Sequence, residues 1–288
     1  MLFVSFPGAA TPAGPYRGLL DGAAAVLAAA EPETKIALSR AVADGWRGGG
    51  LAIGTTEPPP RPARPPRPRL LPPRDMPKRR NFGSPAGRVA LLHALAHIEL
   101  NAIDLAWDFI ARFGVARFGG AGWPRGFFDD WVTVAAEEAE HFSLLSARLA
   151  SLGASYGDLP AHDGLWEAAA ATSRDPLARL AIVPLVLEAR GLDVTPEMIA
   201  RLRRAGDSES AALLDRIYHD EIGHVAAGRR WFDLLCERQA REPLATFHEL
   251  VRRYFTGVLK PPFNRPAREA AGFAAAWYEG LVCADARC

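Results

Sequence analysis

The chain has 288 residues, 49% of them hydrophobic, and a formal net charge of +1. That length can bury one large core or two small ones, and the near-neutral balance gives no overall pull toward nucleic acid or a membrane surface. The 3 cysteines, Cys236, Cys283 and Cys288, form no C-x-x-C pair, which fits a reducing compartment better than a disulfide scaffold.

The apolar start, Met1 to Pro7, has no basic residues before it and breaks at proline, so it does not read as a secretion signal. The alanine-rich run 23–30 is too short to span a bilayer. These features lead to the expectation of a cytoplasmic protein with no membrane partner.

Residues 16–47 carry apolar positions at helical spacing, Leu19, Leu20, Ala23, Val26 and Leu27, then Ile36, Ala37, Ala41 and Val42, and the run stops at Gly48. Between Pro58 and Arg80 stand ten prolines and eight Lys or Arg residues, which rules out a helix or central strand there. This stretch is expected as an extended arm that lies across the domain or floats free. A docking site for RNA or an acidic surface is the less favoured reading, because no aromatic residues interleave for base stacking.

Four long helices are predicted next. The first covers 86–113 and ends at Gly114, with Glu99 in the middle of an apolar stripe formed by Leu92, Leu95, Ala96, Ile103, Ala106 and Ile110. The second covers 127–152, with Trp131, Val134, Glu138, His141, Leu145 and Leu149 on one stripe. The third begins after Asp175-Pro176, an N-cap followed by proline in the first turn, and ends at Arg190-Gly191, kinked by Pro184. The fourth covers 208–239. Short helices are predicted at 165–171, 196–204, 243–255 and 266–281. No alternating β-branched run is long enough to argue for a sheet. The expected architecture is all-α, a four-helix bundle with additional N- and C-terminal helices.

Two of the long helices carry the same signature. Glu137-Glu138-Ala139-Glu140-His141 and Asp220-Glu221-Ile222-Gly223-His224 are each an acid followed by Glu-x-x-His. Positions i and i+3 share a helix face, so each copy aims a carboxylate and an imidazole at one point. One Glu-x-x-His arises easily by chance, since glutamate usually sits on a solvated face. Two copies, interleaved in chain order with Glu99 and Glu188 on apolar stripes, match the ligand pattern of helix-bundle dinuclear carboxylate sites. Iron(II) and manganese(II) accept such mixed oxygen and imidazole ligands, and four carboxylates offset most of the charge of two divalent ions. The expected ligands are Glu99, Glu138, His141, Glu188, Glu221 and His224. The expected ions are two Fe, with Mn or a mixed Mn/Fe pair as the alternative.

Glu137 and Asp220 are rotated by about 100° from the ligand glutamates, a position suited to accepting the N–H of a ligand histidine on a neighbouring helix, against the plainer reading of a surface charge. His93 and His97, with Asn101, Asp104 and Asp108, form a polar stripe oblique to Glu99, read as polar packing with His97 as a supporting residue of the site. The sequence contains no G-x-S-x-G, no P-loop and no G-x-G-x-x-G after a strand.

At Glu99, Glu138/His141, Glu188 and Glu221/His224 the chain resembles the ferritin-like di-iron carboxylate superfamily. The segments Leu91-Leu92-His93-Ala94-Leu95-Ala96-His97-Ile98-Glu99, Glu188-Ala189-Arg190-Gly191-Leu192-Asp193 and Lys260-Pro261-Pro262-Phe263-Asn264 are similar to an uncharacterised bacterial ferritin-like branch of it, over most of the chain from about residue 20. The resemblance implies a ferritin-like bundle over 85–240, preceded by a helical extension (1–56) and the arm (57–84) and followed by packed helices (241–288). It implies an oxidoreductase, oxygenase- or peroxidase-like, that activates O₂ or peroxide with an external reductant. The substrate would be a small molecule or, by analogy with tRNA-modifying hydroxylases, a modified nucleotide. A homo-oligomer is compatible with the fold. The alternatives are non-catalytic iron storage and an RNA- or protein-binding module using the basic arm.

Overall fold

The computed structural model describes residues 16–76, 83–117 and 120–282. Among the described residues there are ten α-helices, and the only β pairing is two isolated bridges, Leu70 with Ala161 and Leu259 with Val282. Helices α1 (Leu19–Ala28) and α2 (Pro32–Arg47) pack on each other and cover α3 (Pro85–Phe113) and α4 (Arg125–Ser151). Helix α3 lies along α4, and α4 meets α8 (Ser208–Arg238). The short α5 (Gly164–Ala171) leads into α6 (Pro176–Ile182), which passes through a π-helical segment, Val183–Glu188, into α7 (Ala189–Arg204). All three parts of that rod pack on α8, while α9 (Pro243–Tyr254) packs on α6 and α8, and α10 (Arg265–Ala270) on α7 and α8.

The helix starts follow from local chemistry. Ser84 accepts the N–H of Gly87 ahead of α3, Asp175 accepts those of Leu177 and Ala178 ahead of α6, and Asp207 accepts that of Ser210 ahead of α8. Each cap satisfies donors that the first helical turn leaves without a carbonyl. Helix α3 is long and apolar enough to cross a membrane by length and composition, but here 72% of its most apolar window is buried in the fold. Its buried face also carries His93, Glu99, Asn101, Asp104 and Asp108.

Two boundaries differ from the sequence expectation. The third rod does not stop at Gly191; α7 runs on through Pro196 to Arg204. Proline at 196 takes away the N–H that would bond the Leu192 carbonyl, and the Asn264 side-chain amide fills that place at 3.0 Å. Tertiary contact thus removes the cost that sequence reasoning assigns to an internal proline. The predicted helix 266–281 is instead α10 followed by two 3₁₀ turns, Ala275–Trp277 and Glu279–Leu281. Gly272 at φ 71° caps α10 in the left-handed conformation and ends it.

The described part of the Pro/Arg arm, 57–76, is mostly extended and lies across the domain; residues 77–82 fall outside the described chain. Ala63 N–H donates to the Leu27 carbonyl and Leu71 N–H to the Ala161 carbonyl, both at 2.8 Å. Arg64 reaches inward to Asn101 Oδ1 at 2.7 Å and Asp104 Oδ2 at 3.1 Å. Two of the arm's cations, Arg61 on Asp163 and Arg64 on Asp104, therefore tie it to the fold.

Candidate metal centre

Both Glu-x-x-His signatures face inward, on α4 and α8. Glu138, His141 and His224 are each at most 1% exposed, and Glu99 of α3 is 4% exposed. Donor atoms of Glu99, Glu138, His141 and Glu221 all lie within 4.8 Å of one another, so these four residues could hold a metal ion. Glu138 sits between the two imidazoles: Oε2 is 3.6 Å from His141 Nδ1 and Oε1 is 3.0 Å from His224 Nδ1. The second of these distances is short, yet neither Glu138 oxygen nor His224 Nδ1 is aligned for a hydrogen bond. Buried carboxylate oxygens and an imidazole nitrogen that converge without bonding each other are costly unless a cation or protons occupy the space they share.

The acids that precede each signature hold the histidine of the other. Asp220 Oδ2 lies 3.0 Å from His141 Nε2, and Glu137 Oε2 lies 2.8 Å from His224 Nε2. A carboxylate can only accept, so each Nε2 carries a proton and each Nδ1 faces the carboxylate cluster, where it holds a proton in the cationic imidazole and offers a lone pair in the neutral one. Asp220 and Glu137 are 32% and 37% exposed at the side chain, so they reach in from the rim while the imidazoles they hold are covered.

The electrostatics report the same crowding. Burial first, and then the charge on Glu138, push the Glu99 carboxyl well above the ordinary range. Burial alone would also raise Glu138, but contacts with His141 and His224 outweigh it and hold that carboxyl low. His141 is disfavoured as a cation by burial, yet Glu138 and Glu99 raise it to about 11. His224 is raised as well: burial opposes its charge, and Glu221, Glu137 and Glu138 overcome that. Without a metal, protons on Glu99 and the imidazoles neutralise the cluster.

Glu188 and His224 lie outside that four-residue group; Glu188 comes from the end of the π-helical segment and stands near enough to Glu221 and Glu138 to feel their charges. Pro184 cannot donate to the α-helical ladder, and the chain widens there to i→i+5 bonding, seen where Ala189 N–H reaches the Pro184 carbonyl. Helix α8 accommodates this bulge with Gly228: a Cβ on Gly228 would fall 2.4 Å from Pro184 Cβ. Burial, then the charges of Glu221 and Glu138, raise the Glu188 carboxyl to about 8, and its Oε2 is buried with no hydrogen-bond partner. Sequence reading expected a kink at Pro184 but missed Gly228, although a glycine one helical turn after His224 marks a close approach on the same face.

His97 does not support this cluster. Its Nδ1 meets Tyr156 Oη at 2.9 Å and its Nε2 the His162 carbonyl at 3.2 Å, so both ring nitrogens are engaged elsewhere. Two residues before Glu99, it points to another side of α3. Burial pushes it down to about 4, which keeps it neutral. Its neighbour His93 accepts the N–H groups of Gly157 and Leu159. The rest of the stripe is spent on packing: Asp104 binds Lys35 and Arg64, and Asp108 binds Arg112 and Arg179.

Comparison with known proteins places the chain in a family. Residues 28–279 match the family described as "Protein of unknown function (DUF455)", and the chain belongs to it. An uncharacterised protein of Haemophilus influenzae is 44% identical over 209 residues, which cover 73% of this chain and 72% of that protein. No solved structure matches.

Proposed function

We propose that this DUF455 member is a ferritin-like dinuclear metalloprotein, a di-iron oxidoreductase that activates O₂ or peroxide, with manganese or a mixed Mn/Fe pair as the alternative. The observation that carries this reading is the crossed pairing of Asp220 with His141 and Glu137 with His224 around Glu138. A chance pair of Glu-x-x-His signatures gives no reason for each preceding acid to fix the other signature's imidazole. A metal centre gives one, because a carboxylate behind a ligand histidine sets its tautomer and strengthens it as a donor.

The donor set suits the charge of the ions. Four carboxylates and two neutral imidazoles carry about −4, which two divalent cations cancel. Glu138 faces both imidazoles with one oxygen each and would serve both halves of the site. Glu99, with His141 beside it, and Glu188 with Glu221, near His224, would complete the two sides. When bound, a reducible metal pair of this kind supplies one- and two-electron oxidation chemistry. The chain's own part is to hold the donors in register, to cover them from solvent, and to keep the Nε2–H groups directed at the rim carboxylates Asp220 and Glu137.

The test is O₂ uptake by the full chain loaded anaerobically with Fe(II). Stoichiometric or catalytic uptake, lost in Glu138→Ala/Glu221→Ala, supports the oxidoreductase reading. Retained iron with no O₂ or peroxide consumption would favour sequestration instead.

A further inference from the structure

The segment 260–264, between α9 and α10, contributes no donor to the cluster, yet the fold seats it on the opening turns of α7, directly after Glu188. Arg190 Nη1 donates to the carbonyls of Lys260 at 2.6 Å and Pro262 at 3.3 Å. The backbone N–H of Asn264 donates to Asp193 Oδ1 at 2.9 Å. Asp193, its side chain fully covered, is held in turn by Nε and Nη2 of the buried Arg268 at 2.8 and 2.7 Å. That bidentate pair fixes the place at which Asn264 meets α7.

The side chain of Asn264 is fixed as well. Its Oδ1 accepts the N–H of Ala267 at the start of α10. Its Nδ2 donates to the Leu192 carbonyl at 3.0 Å and to Tyr218 Oη at 2.9 Å. A carbonyl can only accept and an N–H can only donate, so these partners decide which way the amide faces. The Leu192 carbonyl is open to this bond because Pro196 has no N–H to give it. Leu192 on α7 comes four residues after Glu188, and Tyr218 on α8 three residues before Glu221, so each contact stands one helical turn from a carboxylate of the cluster.

We propose that Asn264 is a positioning residue for one half of the metal centre: its amide ties α7 to α8 and sets the separation of Glu188 from Glu221. The proposal rests on the metal centre proposed above. Glu188 is close enough to feel the charge of Glu221, so the two carboxylates push their helices apart unless a cation or protons stand between them. A neutral bridge one turn away resists that spreading and adds no charge of its own. Glu99 and His141 lie on α3 and α4, which Asn264 does not touch, so the effect belongs to the side of Glu188, Glu221 and His224.

The test is a stepwise Mn(II) titration of the anaerobic full-length chain, with the free ion read by electron paramagnetic resonance and the stability of the metal-free chain measured in parallel. Asn264→Ser keeps a capping oxygen for α10 but is too short to reach both Leu192 and Tyr218. Tyr218→Phe removes one arm of the bridge and keeps the ring. Asn264→Ser is expected to bind one ion as the wild type does and the other about tenfold more weakly. Tyr218→Phe should shift the same step by less, and the double variant no further than Asn264→Ser alone, since both changes remove the same bond. An amide that merely holds the fold together would lower stability and leave both binding steps unchanged, or weaken both equally. Either result, beside a wild type that binds two ions, overturns the inference and leaves the metal centre standing. A wild type that binds fewer than two ions of Mn(II) or Fe(II) overturns the centre and the inference with it. Should Asn264→Ser fail to fold, the Tyr218→Phe titration decides by the same criterion.

Discussion

Helix α3 carries buried acids in two neighbourhoods that look alike in the sequence and differ in their partners. Asp104 and Asp108 are fully buried, and each has cations within reach: Lys35 at 2.6 Å and Arg64 at 3.1 Å for the first, Arg112 at 2.6 Å and Arg179 at 2.7 Å for the second. Glu99, one turn away, is offered other carboxylates and a histidine. Burial is equal, so burial does not mark the functional acid. What distinguishes Glu99 is that, among the described residues, no Lys or Arg side chain is paired with it. The compensated pairs staple α2, the arm and α6 to α3, while the uncompensated cluster requires protons or a cation from outside.

The contrast is broken most completely by Glu138→Ala/Glu221→Ala. Metal content per chain is expected to fall from about two to none, measured by mass spectrometry, while circular dichroism stays helical. The next largest effect lies on the stapling side. Asp108→Ala leaves Arg179, 2% exposed, as a buried cation without its carboxylate. It should lower stability by about 3–5 kcal/mol in a denaturant titration and leave the metal content of folded chain unchanged. Glu99→Gln should do the reverse, removing metal while leaving the metal-free protein about as stable, since a neutral amide replaces a carboxyl that the metal-free fold already holds protonated. Equal loss of stability in both variants would erase the distinction between the two neighbourhoods.

Smaller changes sharpen it. Asp220→Asn replaces the charged acceptor of His141 with a neutral amide and should weaken metal affinity by about 10–100-fold without a change in stoichiometry, measured by competition with a chelator. Gly228→Ala would drive a methyl group into Pro184 and should cost about 1–3 kcal/mol, with metal affinity falling as Glu188 moves.

The pH dependence has a defined sign. Glu188 titrates at about 8 in the fold, above an ordinary carboxylate, so the folded metal-free chain holds a proton that the unfolded chain has already lost. His141, raised to about 11, also binds its proton more tightly when folded. Both terms make metal-free stability fall as pH rises, Glu188 from about 4.5 to about 8 and His141 from about 6.5 to about 11. Metal uptake at pH 7 should release protons in a weakly buffered titration, and affinity should climb toward pH 8.

Much of the site was legible because helix geometry converts spacing into direction. The i, i+3 rule placed Glu138 with His141 and Glu221 with His224, and the 100° offset left Glu137 and Asp220 open between a histidine of a neighbouring helix and a plain surface charge. The π-helical register at Val183–Glu188 was not legible, since Pro184 signals a disturbance and not its form. His97 misled because a histidine near a ligand glutamate looks supportive, while its partners, Tyr156 and the His162 carbonyl, lie about 60 residues away in sequence. Separation along the chain also hid the pairing of the arm: nothing local says that Arg64 will pair with the buried Asp104.

The most direct test of the central claim is the metal content of the wild-type chain, purified anaerobically, beside Glu138→Ala/Glu221→Ala. The expected result is about two iron or manganese ions per wild-type chain and none in the variant. A wild-type chain that binds neither metal after reconstitution with Fe(II) and Mn(II), at a pH above 8 where Glu188 is ionised, would contradict it.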